Sequence, residues 1–334
     1  MSLGPFKEQH ISPFDKLSRR KVKTFLMNQG LDFDEEVEYT IALLDEDRII
    51  ATGSMDEAVL KCIAIDEDYQ GLALTNKLIS GLINEQHNRG FDHLFVYTKP
   101  ENKRIFTDLG FHSIMEIEGE VALLENKADG IHGFTRLISQ HKKEDESIAA
   151  LVMNCNPFTN GHRHVIEHAS KENDVVHVFV VEEDRSDFSF SDRLSLVKQG
   201  TADLKNVVVH SGGTYIISAA TFPSYFLKDA GKVIAAHAAL DLRIFGHYIA
   251  PALGITTRYV GEEPHCQVTA TYNRLMSDIL PEYSIEKKEI PRLEVDERPV
   301  SASYVRKLLA EGNFEGIKVL VPKTTYDYLM KHHR

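Results

Sequence analysis

The residues best suited to chemistry lie in Thr159-Asn160-Gly161-His162, where the apolar run Ile148–Met153 passes through a polar turn into a helical pattern. A helix start binds anions: its first N–H groups are unpaired, it carries partial positive charge, and a glycine lets a phosphate approach the backbone. His162 is placed to donate to a phosphoryl oxygen, and Thr159 adds a hydroxyl. Asn156, Pro157, Phe158 and Asn160 complete the turn. It has neither the Lys-Ser/Thr ending of a P-loop nor a GxGxxG, which argues against a Walker ATPase and a dinucleotide oxidoreductase. A second constellation, Val300-Ser301-Ala302-Ser303-Tyr304-Val305-Arg306, lies near the carboxyl end. Ser301 suits a helix N-cap, and Ser303 and Arg306, three residues apart, can face one ligand.

The first segment resembles the (H/T)xGH motif of the nucleotidyltransferase superfamily. The second resembles that superfamily's ISxTxIR motif, with Ser for Thr and Val for Ile. The resemblance implies that His162, Ser303 and Arg306 are catalytic and bind ATP attacked at its α-phosphorus, with Mg²⁺ assisting and Arg306 stabilising the departing pyrophosphate. Asn156 to His162, Ser301, Ser303 and Arg306 are then the ATP-binding set, and Gly261 and Glu262 are expected on the adenine side. Asp241 is either a ribose or magnesium contact or an acidic residue serving a helix dipole. Glu182, Glu183 and Asp184 could gather magnesium, although a solvated acidic turn is the stronger reading; Cys155 reads as a buried core residue rather than a nucleophile.

Longer runs narrow the resemblance. Asn154 to His162, Val181 to Arg193, and Tyr259 to Pro264 followed by Thr271-Tyr272-Asn273 are similar to the citrate (pro-3S)-lyase ligase family, over essentially the whole chain. That likeness implies ATP and acetate as substrates, acetyl-AMP as intermediate, and transfer of acetyl to the thiol of the phosphoribosyl-dephospho-CoA arm on the acyl carrier subunit of citrate lyase. Other adenylyltransferases, of pantetheine-phosphate or nicotinamide-nucleotide type, are the alternative. In the first part, Asp68 to Leu78 and Asn102 to Phe111 resemble GNAT acetyltransferases. The Q/RxxGxG/A loop is damaged: counting from Gln70 puts Ala73 and Thr75 at the glycine positions, and counting from Asp68 restores Gly71 and Ala73 but loses the Gln or Arg. Either a working acetyltransferase, with the second domain a nucleotide sensor, or a retained fold that recognises the carrier subunit or its CoA-like arm follows.

The elements that must position these residues divide in two. Strands are predicted over Glu38–Leu44, Arg48–Ser54, Ala58–Ile65, His93–Thr98, Phe111–Ile117 and Val121–Leu124, with a helix from Leu72 to Gly90 and a short one over Glu101–Leu109. This is an α+β domain, mostly antiparallel. The polar stretch Gln140–Ser147 marks a boundary, giving domains 1–140 and 141–334. Beyond it strands (Ile148–Met153, Val175–Val181, Val207–His210, Val233–Ala236, one near Tyr259, Ser284–Lys288) alternate with helices (161–171, 192–202, 223–230, 241–252, 267–280). Three helices follow: Ser301–Ala310, Phe314–Val319 and Thr324–His332. Such alternation predicts an α/β, Rossmann-like, doubly wound parallel sheet with its ligand beyond the strands' carboxyl ends.

The 334 residues are 43% hydrophobic, enough for two ordinary cores, and carry a net charge of −12. Residues 1–140 hold 15 basic and 24 acidic side chains, and residues 141–334 hold 23 and 26. The bias argues against nucleic acid or a membrane surface as partner. Three cysteines, Cys62, Cys155 and Cys266, lack any CxxC and fit a reducing cytoplasm, and no apolar run reaches membrane-spanning length.

Overall fold

A computed structural model describes residues 6–71, 73–144, 147–183, 186–218, 233–263 and 267–333, and the strands and helices counted below are those of these residues. The chain separates into two compact units, Met1–Gly130 and Ile131–Arg334. The division falls before the polar stretch at 140–147, because the amphipathic helix α4 (below) packs in the second unit, where Phe134 meets Tyr215 at 5.3 Å between ring centroids.

In the first unit β1 (Lys7–Ile11) and α1 (Lys16–Asn28) precede the antiparallel meander β2 (Tyr39–Asp45), β3 (Arg48–Asp56), β4 (Val59–Ile65). Then follow α2 (Leu74–Asn88), β5 (Phe95–Thr98), α3 (Lys103–Asp108), β6 (His112–Ile117) and β7 (Val121–Glu125). The sheet order is β1-β2-β3-β4-β5-β7-β6, antiparallel except for β4–β5. That parallel pair is bonded only at Val59↔Phe95 and Leu60↔Val96, and the strands part beyond it.

The second unit begins with α4 (Gly130–Ser139) and β8 (Ile148–Met153), then α5 (Asn160–Glu172), β9 (Val175–Val180), α6 (Phe190–Gly200) and β10 (Val207–Ser211). It continues with α7 (Val233–Ile244), α8 (Ala250–Leu253), β11 (Thr257–Gly261), α9 (Gln267–Ile279) and β12 (Glu286–Ile290). The hairpin β13 (Glu294–Val295) and β14 (Arg298–Pro299) leads to α10 (Ala302–Ala310), α11 (Phe314–Lys318) and α12 (Lys323–His332). The sheet order β10-β9-β8-β11-β12 is parallel throughout. Residues alternate between its faces: Ala149, Leu151, Val176, Val178 and Tyr259 pack with α5 and α6, whereas Phe179 and Arg258 meet Phe245 beyond α7. This is the expected α/β arrangement wound on both faces.

One strand expected from the sequence is a helix. Val233–Ala236 opens α7, because the β-branched pair is followed by Ala235, Ala236, Ala238, Ala239 and Leu240, strong helix formers that carry the turn onward. The helix expected at 223–230 and Cys266 lie outside the described residues. The last strand runs to Ile290 and starts after Ser284, which takes the left-handed conformation at φ 59° and cannot continue a strand.

Candidate active site

In the second unit the order of strands reverses at β8: the chain moves from β8 to β9 and β10 on one side and returns to β11 and β12 on the other. β8 and β11 are bonded only at Thr257↔Ala149 and Arg258↔Ala150, so their carboxyl ends diverge. A crevice at such a reversal is where parallel sheets bind ligands. Here it is a cavity of about 570 Å³, lined by Met153, Thr159, Gly161 and His162 from one side, Gly261, Glu262 and Arg292 from the other, and Ser301 and Ser303 at its edge.

The imidazole is held by the helix start itself. Thr159 is the N-cap of α5, its Oγ1 accepts the His162 N–H at 3.3 Å, and its own N–H donates to His162 Nδ1 at 3.0 Å. The pair forms a capping box in which histidine stands where Glu or Gln is usual. Because a backbone N–H can only donate, Nδ1 carries the lone pair and the neutral ring keeps its proton on Nε2. Burial, and then the charge of Arg292, lower the His162 pKa from 6.5 to about 4. At neutral pH the ring is therefore an uncharged donor.

Other residues of the turn build this geometry from behind. Phe158 is fully buried, stacks on His162 at 6.0 Å and occupies the space a side chain would need at Gly200. Asn160 donates from its backbone to the Leu320 carbonyl and from Nδ2 to the Val319 carbonyl. A Cβ on Gly161 would lie 3.0 Å from the Val300 carbonyl oxygen, so this glycine admits the chain that leads into α10. Cys155 is buried, with its thiol pushed upward by burial, as a core residue and not a nucleophile would be. The Asn156–Pro157 peptide is cis.

Ser301 caps α10 by accepting the Tyr304 N–H at 3.1 Å. Arg306, one turn on, donates to the Asn156 carbonyl at 2.5 Å, pairs with Asp187 at 2.9 Å and reaches Ser303 Oγ at 3.5 Å. The two sequence constellations, some 140 residues apart, thus meet through a direct bond. Arg306 and Asn156 stand beside the cavity and not in its lining.

Two important arginines were not singled out by the sequence reading. Arg193, fully buried on α6, donates to the carbonyls of Asn154, Val181, Glu183 and Phe188 and to Asn154 Oδ1, at 2.7–3.0 Å. It clamps the loop after β8 to the loop after β9. Arg292, following β12, lines the cavity and pairs with Glu263 at 3.4 Å. Neither has a local signature, since each gains its role from segments distant in sequence. Asp241 lies inside α7, 1% exposed, and accepts the Ile217 N–H at 2.7 Å and the Tyr272 hydroxyl at 2.6 Å. It stands at no strand end. Glu182 accepts from the Ser211 hydroxyl, and Asp184 lies outside the described residues. Among the described residues no cluster of three His, Cys, Asp or Glu side chains could hold a metal ion, and no helix is long and apolar enough to cross a membrane.

The first unit has its own cavity of about 600 Å³, where β4 and β5 part, lined by Ile65, Gly71, Thr75 and Asn102. Ala73 caps α2 in the left-handed conformation at φ 57°, where a glycine would be unstrained.

Residues 148–329 match the family model of the citrate lyase ligase C-terminal domain. The chain is 40% identical over 322 residues to the citrate (pro-3S)-lyase ligase of Escherichia coli K12, covering 94% of this chain and 92% of that one. The chain belongs to the citrate (pro-3S)-lyase ligase family. Its relative of that name from Haemophilus influenzae is 41% identical, with 93% of this chain and 94% of that one covered. The protein is accordingly an enzyme, a ligase. A solved GNAT-family acetyltransferase from Staphylococcus aureus Mu50 is similar over 36% of this chain and all of that one, at 12% identity and a TM-score of 0.31.

Proposed function

We propose that the protein activates citrate lyase by ATP-dependent acetylation of its acyl carrier subunit. An acetate oxygen attacks the α-phosphorus of ATP as the bond to the β-phosphate oxygen breaks, giving acetyl-AMP and pyrophosphate. The thiolate of the carrier's phosphoribosyl-dephospho-CoA arm then attacks the acetyl carbonyl, and AMP leaves. The observation that carries this reading is that His162, Ser301 and Ser303 share one cavity at the strand reversal. The reaction needs positioning and charge stabilisation more than an enzyme nucleophile.

In this reading the Nε2–H of His162 and the first turn of α5 bind phosphoryl oxygens, while Arg292 and the Ser303 hydroxyl take charge developing on the leaving pyrophosphate. Arg306 holds the Asn156 turn and is released toward the nucleotide when phosphates compete with Asp187. Gly261 and Glu262 face the adenosine side. Magnesium would accompany ATP and supply charge stabilisation at its phosphates beside the chain's own donors. The first unit, with alanine in its phosphate-approach turn, is assigned to recognising the carrier or its arm, and the protein to the cytoplasm with its lyase.

Acetate-dependent exchange of labelled pyrophosphate into ATP tests the first step, and reactivation of deacetylated citrate lyase tests the whole. Exchange with phosphopantetheine or nicotinamide mononucleotide in place of acetate would overturn the reading. So would acetyl transfer from acetyl-CoA without ATP that survives His162→Ala.

A further inference from the structure

Arg258 stands in the wall of the active-site cavity with only part of its hydrogen-bonding capacity used. It lies on β11, 1% exposed, on the opposite face of the strand from Tyr259, which packs toward α5. Its Nη2 donates to the Tyr272 hydroxyl at 2.9 Å, and that hydroxyl donates to Asp241 at 2.6 Å. The Phe245 ring covers one face of the guanidinium, 4.2 Å from its carbon. Among the described residues, Nε and Nη1 have no acceptor. Buried N–H groups are almost always matched by an acceptor. The same cavity is lined by the apolar Ile217 and Met276 and by Tyr272, all buried, along with the polar Thr269 and Asn273.

A cationic donor set next to a small apolar wall complements a short-chain carboxylate, oxygens on the guanidinium and alkyl group on the hydrocarbon. We propose that Arg258 binds the carboxylate of the acid to be activated, and that Ile217, Met276 and Tyr272 limit its chain length. The inference rests on the adenylation reading above and places that reaction's second substrate. Arg258 lies on the α7 and α9 side of the sheet, away from the donors assigned to the phosphates on α5 and α10. One carboxylate oxygen on the guanidinium leaves the other to attack phosphorus.

The test is acetate-dependent pyrophosphate exchange by full-length wild type, Arg258→Met, Arg258→Lys and Met276→Ala. Exchange by the wild type establishes the reading on which the inference depends; its absence defeats that reading and the inference together. Given wild-type exchange, Arg258→Met is expected to raise the acetate KM by about 10- to 100-fold with the ATP KM within about twofold, and Arg258→Lys to recover part of the loss. Met276→Ala is expected to turn the preference from acetate toward propionate or butyrate at unchanged ATP KM. An equal rise in both KM values would make Arg258 a nucleotide ligand, and unchanged values would mean that buried water serves its free N–H groups; either result overturns the proposal. If the Arg258 variants do not fold, an unchanged acid preference in Met276→Ala overturns it.

Discussion

Replacing His162 by Gln and by Ala separates its two tasks. Gln at the third helical position is the usual capping-box partner. His162→Gln therefore retains an acceptor for the Thr159 N–H, bonded at 3.0 Å in the native protein, but moves the donor away from the place of Nε2. It keeps the cap but loses the ring stacked on Phe158, so its stability should fall by about 0.5–1.5 kcal/mol. His162→Ala strips that N–H of its acceptor and should lose about 1–2 kcal/mol. Both variants lose a donor to the transition state, a loss worth about 2.7–4 kcal/mol or roughly 10²–10³ in rate. The pKa near 4 adds a pH signature: the drop from 6.5 corresponds to about 3 kcal/mol of preference for the neutral ring. In the nucleotide-free protein an NMR titration of this ring should thus show no inflection near pH 6.5. The assay is acetate-dependent pyrophosphate exchange at saturating ATP from pH 5 to 8, with urea melts of each variant. The reasoning fails if folded His162→Gln exchanges within tenfold of wild type, or if the ring of the nucleotide-free protein titrates near pH 6.5.

Three further outcomes are expected. Arg193→Met leaves buried carbonyls of both loops without their donor and should cost about 3 kcal/mol or more, read as a fall in the urea midpoint with exchange lost. Cys155→Ala should leave exchange and acetyl transfer within about threefold of wild type, a small residue replacing a small buried one; complete loss of transfer would make Cys155 an acyl carrier. Acid should destabilise the protein below pH 6.5. Burial lowers His162 and His177 to about 4 and His210 to about 3, the latter two also feeling neighbouring histidines. The unfolded chain then takes up protons first as pH falls, so stability declines through pH 6.5 to about 3 and gains nothing from these groups above 6.5. A urea midpoint that did not fall between pH 7.5 and 5 would contradict these burials.

Local pattern located the motifs because they depend on local physics. Thr159 and His162 are three residues apart and close their capping box within one turn, and Ser301 caps α10 in the same way. Apolar runs such as Ile148–Met153 and Val175–Val180, buried on both faces, read as parallel-sheet strands without any tertiary knowledge. The segment at Val233 misled for the same reason, since two β-branched residues are a local signal that the following alanines override. α1 escaped notice because Val22, Phe25 and Leu26 are its buried residues in a run rich in Lys and Arg.

The sequence by itself determined two motifs, the class of each domain and the family, all of which are written in contiguous residues. Only the tertiary structure decided that Arg306 bonds the Asn156 carbonyl beside the cavity and that Gly161 makes room for Val300. It also decided that Asp241 supports Tyr272 and Arg258 from inside a helix. The physical reason is range: capping and strand periodicity act within a few residues, whereas burial of a charge and the sharing of a cavity depend on which distant segments the sheet brings together.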